Sequence, residues 1–331
     1  MGFRLVQRDV IGLVYHLVSE EAPDHVRNLY PFKAPREFEA DVEYVKAHFP
    51  VVSYEEAAKA RKGEGQLKPN SILFTVDDGF RECITEIAPI LKRHNIPVVF
   101  FVCTDFLDNR HLSYRSKVSL CIEKAKGLHA TQLETVRREM ENAHREQKDF
   151  RLWLLSLSCD EEGLIDGVCE RLGVNVTEYL DRRRPFLTSA EVQTLSRDRF
   201  VIGAHSTKHP DFRRLKPDEM EREIVESCRA VQKLTGQKEV PFAFPFDGAG
   251  VDRELLARLR KTYPFIGLIF DIHGFRPDAP FVVNRIWVDK PGPSNSGSNL
   301  PRLFSRAFRR YLLWRVWRSC FFGIGTLKRR T

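Results

Sequence analysis

The sequence has no CxxC pair and no compact cysteine framework; its seven cysteines, at 83, 103, 121, 159, 169, 228 and 320, are scattered, several of them in apolar segments. A disulfide-stapled secreted scaffold is therefore not expected, whereas buried free thiols in a reducing, cytoplasmic compartment are. No stretch reaches the roughly 18 uninterrupted apolar residues that a spanning helix needs. The apolar N-terminus is short and broken by Asp9 and His16, so it reads as a strand rather than an export signal. Val6 stands where N-myristoylation of Gly2 calls for a small hydroxyl residue. Acidic residues are missing from positions 300–331, which hold nine Lys and Arg, more than the whole net charge of +8. The remainder is close to neutral, so a basic nucleic-acid-binding surface is not a property of the main body.

What is present is apolar enough for a proper core: 42% of the 331 residues are hydrophobic. The central stretch is Ser71-Ile-Leu-Phe-Thr-Val-Asp-Asp-Gly-Phe80, a β-rich run that ends in two adjacent carboxylates and a glycine. Over residues 81–94, Ile84, Ile87, Ala88 and Leu91 recur at helical spacing, and Ile96-Pro-Val-Val-Phe-Phe-Val102 reads as a second buried strand. This βαβ unit implies parallel strands whose ends share one face, where α/β proteins keep their chemistry. Asp78-Gly79 alone would signal a hairpin, but the helix beyond it argues otherwise. Neighbouring side chains point into one pocket only where a strand gives way to a loop, a freedom that Gly79 supplies. Two such carboxylates repel each other, and a cation would relieve the conflict.

The alternation continues along the chain. A first strand is expected over 10–18, a helix with Phe38, Val42 and Val45 on one face over 35–48, an extended piece at 50–53 and a short helix at 54–61. Residues 105–185 turn charged and helical, without a repeat; Leu133, Val136 and Met140 share one face, and Trp153, Leu154 and Leu157 another, as expected of inserted helices that cover the main fold. Thr188-Ser-Ala-Glu191 reads as a capping box. Phe200-Val-Ile-Gly-Ala204 is a strand that runs into His205-Ser-Thr-Lys-His209-Pro210. A helix from Pro217 ending at Gly236, a strand that breaks into a loop within 240–250, a helix over 252–261 and strands near 265–270 and 281–288 complete a β/α pattern whose strand ends hold the polar residues.

Histidines four apart could chelate a metal or form a metal-free surface or core-edge pair. Here His205 terminates a strand and Pro210 blocks a long helix through His209, so both belong to a turn on the rim that holds Asp77 and Asp78. Two imidazoles and one carboxylate make an open three-ligand set suited to Zn²⁺ or another borderline divalent metal, leaving the second carboxylate to take a proton from water.

Together, Thr75-Val-Asp-Asp-Gly79 and His205-Ser-Thr-Lys-His209 resemble the first two motifs of the polysaccharide deacetylases, the NodB-homology or carbohydrate esterase family 4 enzymes. The resemblance covers roughly residues 10–104 and 186–290. It implies a distorted (β/α) barrel with the main domain over 1–299, Asp77 as general base, and Asp78, His205 and His209 as metal ligands. Phe242-Ala-Phe-Pro-Phe246 is more similar to the poly-N-acetylglucosamine deacetylase branch than to an arginine-bearing third motif, because Ala243 stands where the arginine would be. In that permuted branch the acid histidine lies in an N-terminal Tyr-His motif, which Tyr15-His16 resembles; His16 is assigned as the acid and His273 is its rival. The implied reaction is removal of an N-acetyl group from an amino sugar in a polysaccharide or lipid-linked glycan. Asp77 takes the proton of a metal-primed water, a backbone N–H near Phe246 helps hold the oxyanion, and His16 protonates the departing amine. Arg285 would either orient Asp77 in place of the absent arginine or form a surface salt bridge. The alternative is a catalytically inactive glycan-binding protein of the same fold, suggested by Ala243 and Phe246.

The tail over 300–331 interleaves Leu303, Phe304, Ala307, Phe308, Tyr311, Leu312, Trp314 and Trp317 with arginines. It reads as a peripheral anchor at the inner face of a membrane, as a solvated basic helix docked on the protein, or as a poorly ordered terminus.

Overall fold

The computed structural model describes residues 10–140, 149–292 and 297–322. Gly2 and Val6, the side chains of Trp317 and Cys320, and the basic residues at 328–330 lie outside what is described. Runs of β-branched and aromatic residues form β1 (Val10–Tyr15), β2 (Ser71–Val76), β3 (Val98–Val102), β4 (Val201–Ala204), β5 (Val240–Ala243), β6 (Ile266–Asp271) and β7 (Val282–Trp287). They pair in parallel in chain order, and β7 returns to β1 to close a seven-stranded barrel. β1 and β2 are buried at every position, as strands covered on both faces must be.

Period-two alternation sorts the side chains into two layers. Leu13, Tyr15, Phe74, Phe100, Ile202 and Phe242 belong to the large outer core beneath the helices. Leu73, Val99, Phe101, Ala243, Phe270 and Val283 form a separate cluster. Phe101 on β3 and Phe270 on β6 are not on neighbouring strands, yet their rings lie 5.1 Å apart, so this second cluster fills the lumen. Arg285 of β7 lies there too, fully buried, with its guanidinium 5.4 Å from the Phe101 ring and 5.9 Å from the Phe270 ring. Gly12 makes room for it: a Cβ there would come within 2.5 Å of Arg285 Cγ.

The connecting helices are α1 (Pro35–His48), α2 (Tyr54–Arg61), α3 (Ala88–His94), α4 (Tyr114–Ala125), α5 (Ala130–Met140), α6 (Phe150–Ser156), α7 (Glu162–Leu172), α8 (Val176–Arg183), α9 (Ser189–Arg197), α10 (Pro217–Thr235), α11 (Arg253–Thr262) and α12 (Leu300–Phe322). Thr188 and Glu191 form the expected capping box at the start of α9. The helix expected over 81–94 opens instead with a wide π-turn at Cys83–Ile87, because Pro89 has no N–H with which to continue a regular ladder. β1 stops at Tyr15 rather than at 18, since the His16 N–H leaves the sheet to donate to Asp289 (3.0 Å).

Between β3 and β4 the helices do more than cover the barrel. Those from α4 to α7 enclose a core of their own around the fully buried Trp153, with Leu154, Ile165, Val168 and the facing Cys121 and Cys169. The cysteines at 83, 103, 121, 159, 169 and 228 are free. α12 is a docked helix: Leu300, Phe304, Phe308 and Tyr311 are buried in the outer core, so Phe304, Phe308 and Tyr311 do not form the membrane-facing stripe expected of an anchor. No described helix is long and apolar enough to cross a membrane.

Candidate functional site

The C-terminal ends of the strands form one rim. After β2 the Asp77 N–H still donates to the Tyr15 carbonyl (2.8 Å), extending the ladder by one residue. Asp78 (φ 72°) and Gly79 (φ 68°) then adopt left-handed conformations, so both carboxylates line one pocket of about 340 Å³. Gly79 is required twice over: its φ is positive, and a Cβ would meet Val102 side-chain carbon at 3.0 Å. After β4 the His205 N–H donates to the Val102 carbonyl (2.9 Å). The chain then turns back through Ser206 (φ 66°) to His209 (φ 60°), whose N–H donates to Ser206 Oγ (3.0 Å).

These turns bring Asp78, His205 and His209 together, with one potential ligand atom of each lying within 4.8 Å of the others. Asp78 Oδ1 is 3.6 Å from His205 Nε2 and 3.4 Å from His209 Nε2. His205 Nδ1 is 2.9 Å from the Ala243 carbonyl, to which it donates, leaving Nε2 as the lone-pair nitrogen facing Asp78. Burial pushes the His205 pKa down to about 4, so the imidazole is neutral at pH 7. Burial alone would raise the Asp78 carboxyl, but the hydrogen bond of His209 and the positive charge of His16 hold it well below the usual carboxylate range. A neutral imidazole nitrogen, a second imidazole and an ionised carboxylate on one point make a donor set that fits a divalent metal.

Asp77 faces the same pocket from the lumen side. Its Oδ1 accepts from Arg285 Nη1 at 2.6 Å, and its Oδ2 lies 3.9 Å from His205 Nε2. Arg285 also donates to Thr75 Oγ1 (3.1 Å). A surface salt bridge at Arg285 is thus overturned: the pair is fully enclosed by the barrel. Burial would raise the Asp77 pKa, but the Arg285 guanidinium outweighs it and keeps the carboxylate ionised.

Across the pocket stands His16, its Nδ1 2.5 Å from Asp289 Oδ2. Burial opposes its protonation, yet the Asp289 carboxylate wins and raises its pKa from 6.5 to about 9. Trp287 Nε1 donates to the same Asp289 oxygen. His273 does not line this pocket; its Nε2 is 3.4 Å from Asp271 Oδ2, in a groove beside α12.

Two neighbours escaped the sequence reading. Asp289 lies two residues past the end of β7, the same signature of an acid after a β-run that singled out Asp77. Tyr30 donates to Asp78 Oδ2 (3.0 Å) from the loop between β1 and α1, where no periodicity marks it. The inserted helices also reach the site: Ser113, Arg115 and Ser116 at the start of α4 line the pocket. Phe246 (φ 57°) packs against the inserted core while its ring lies 4.9 Å from that of His209.

The sequence profile of the family described as Polysaccharide deacetylase matches residues 64–148 and 165–262. Among solved structures, the chain is similar to the Streptococcus pyogenes deacetylase PplD in complex with acetate, at 15% identity over 90% of this chain and 99% of that one, with a TM-score of 0.55. It is also similar to a de-N-acetylase from Aggregatibacter actinomycetemcomitans, at 15% identity over 89% and 99% of the two chains, with a TM-score of 0.53. IcaB from Ammonifex degensii is 17% identical over 91% and 98%, with a TM-score of 0.53. At these identities the likeness to the structures concerns the fold. No curated protein matches the chain.

Proposed function

The chain belongs to the polysaccharide deacetylase family, and from that premise we propose that it is a metal-dependent carbohydrate N-deacetylase, releasing acetate from an N-acetylated amino sugar. Asp78, His205 and His209 would hold a divalent ion, for which Zn²⁺ best suits two imidazoles and a carboxylate. When bound, such an ion supplies a Lewis acid that polarises a carbonyl oxygen and acidifies water. Tyr30 orients Asp78 through its second carboxylate oxygen.

Asp77 is the general base. With Oδ1 fixed by Arg285, its Oδ2 is the oxygen left to take the proton of the attacking water. His16 is the general acid: Asp289 holds Nδ1, so Nε2 is the atom that gives its proton to the departing amine. The backbone N–H of Phe246, at a turn beside His209, is the expected donor to the oxyanion. Exposed Trp287 and the Phe246 ring offer apolar faces to a sugar. Water adds to the acetamide carbonyl, the C–N bond breaks, and acetate and a free amine leave.

The observation that supports this reading is the pairing, across one pocket, of a carboxylate held ionised by Arg285 with an imidazole held protonated by Asp289. Groups pushed to opposite protonation states are what acid–base hydrolysis needs. The inactive alternative rested on Ala243 and Phe246; for the first of these, Arg285 supplies a guanidinium to Asp77 from another strand. The test is metal content together with acetate release from N-acetylglucosamine oligomers. Asp77→Asn is expected to keep the metal and lose turnover, and His205→Ala to lose both. An active Asp77→Asn variant refutes the assignment of the base, and a metal-loaded wild type that releases no acetate favours the inactive glycan-binding alternative.

A further inference from the structure

α12 leaves a groove of about 960 Å³ between itself and the barrel rim. Ile272 and Trp287 line both this groove and the active pocket, so the two share a wall. Arg276 and Lys290 face the groove from the barrel side, and Arg306 and Arg310, one turn apart, face it from α12. Arg302 and Arg309 extend the charge into an adjoining hollow. None of these cations has an acidic partner among the described residues, and no acid occurs anywhere in 300–331. Beyond them α12 exposes Leu313 (71%) and Val316 (63%).

Guanidinium and ammonium groups without acidic partners that line one hollow repel one another until an anion joins them, even with Arg276 stacked on Trp314, and the forked donors of arginine suit phosphate oxygens above all. A neutral polysaccharide makes no use of such a row. A membrane surface alone would not require the row to share a wall with the catalytic pocket. The pocket itself is small, near the lower end of the roughly 300–1,000 Å³ typical of ligand sites. The groove beyond Trp287 lies near the upper end.

Building on the deacetylase reading, we propose that this groove binds the phosphate or diphosphate of a lipid-linked amino sugar, with the acetamido sugar in the pocket beyond Trp287 and the lipid chain leaving past Leu313 and Val316. Arg306 and Arg310 are phosphate-binding residues, and the exposed end of α12 meets the lipid phase in which the substrate is carried.

The experiment compares acetate release from three substrates: N-acetylglucosamine linked through diphosphate to a polyprenyl lipid in neutral phosphatidylcholine vesicles, soluble N-acetylglucosamine 1-phosphate, and neutral N-acetylglucosamine oligomers. The proteins are the wild type, Arg306→Ala/Arg310→Ala and the charge-keeping Arg306→Lys/Arg310→Lys. The lipid-linked substrate should have the highest kcat/KM. The alanine pair should raise its KM by roughly tenfold per arginine, with kcat almost unchanged, and the lysine pair should recover most of the loss. An equal loss on neutral oligomers, or no loss on the lipid-linked sugar, overturns the inference. Equal use of the soluble sugar phosphate removes the lipid from it. Arginine-dependent flotation on anionic phosphatidylglycerol vesicles without any substrate effect makes the groove a membrane contact and likewise overturns it. If no substrate yields acetate, the hydrolase reading is what has failed. Calorimetric titration with inorganic pyrophosphate then decides the groove by itself: binding that is lost in the alanine pair supports it, and no binding overturns it.

Discussion

Replacing Asp289 by Asn keeps the shape of the group beside His16 and removes its charge. In the native site that charge holds the His16 pKa at about 9, against an ordinary 6.5. The difference is about 2.5 units, or roughly 3 kcal/mol at about 1.4 kcal/mol per unit. Burial remains in the variant and opposes protonation, so the pKa should fall to 6.5 or below. The proposed role of His16 as the acid requires its protonated form, so activity should be lost as pH rises through its pKa. At pH 8 about nine-tenths of the native enzyme is competent, but only about 3% of a variant with pKa 6.5 is, a deficit of roughly 30-fold that shrinks below about twofold at pH 6. The assay is kcat/KM for acetate release from N-acetylglucosamine oligomers between about pH 5.5 and 9.5, with both enzymes at the same metal loading. A deficit of the same size at pH 6 and pH 8, or an alkaline limb that does not move, refutes the role given to the His16–Asp289 pair.

The same pair links pH to stability. A folded-state pKa raised to about 9 contributes fully below the unfolded value near 6.5 and is lost as pH rises through 9. Asp289→Asn should therefore lower Tm more at pH 6 than at pH 9.5, and equal shifts would contradict the linkage. Arg285→Leu strands the buried Asp77 carboxylate and should cost about 3–5 kcal/mol in urea unfolding, with a loss under about 1 kcal/mol arguing that water reaches Asp77. Gly12→Ala drives a methyl against Arg285 and should destabilise by about 1–3 kcal/mol; an unchanged midpoint would mean that the guanidinium can move aside.

The βαβ run, the paired carboxylates and the histidine turn were legible because each is a local signal, a polar cluster at the end of a buried strand. Asp289 was not, because its contact with His16 spans 273 positions and only barrel closure creates it. Arg285 shares an alternation phase with Val283, so its inward direction was readable. That the lumen could admit it depended on Gly12 on the neighbouring strand, which a reading of one strand at a time does not weigh. The tail was legible as an amphipathic helix, but periodicity does not say what covers an apolar stripe, and here the barrel covers Phe304, Phe308 and Tyr311. The inserted helices were read as a cover for the same reason: apolar faces were visible, and their choice of one another was not.

His16 follows the first strand and Asp289 the last, so the proton donor is assembled across the seam where the ring shuts. The strands up to the sixth carry the proposed metal ligands and base, whereas Arg285, which holds Asp77, and Asp289, which holds His16, come only with the seventh. The proposed acid–base pairing is therefore complete only where the final strand lies against the first.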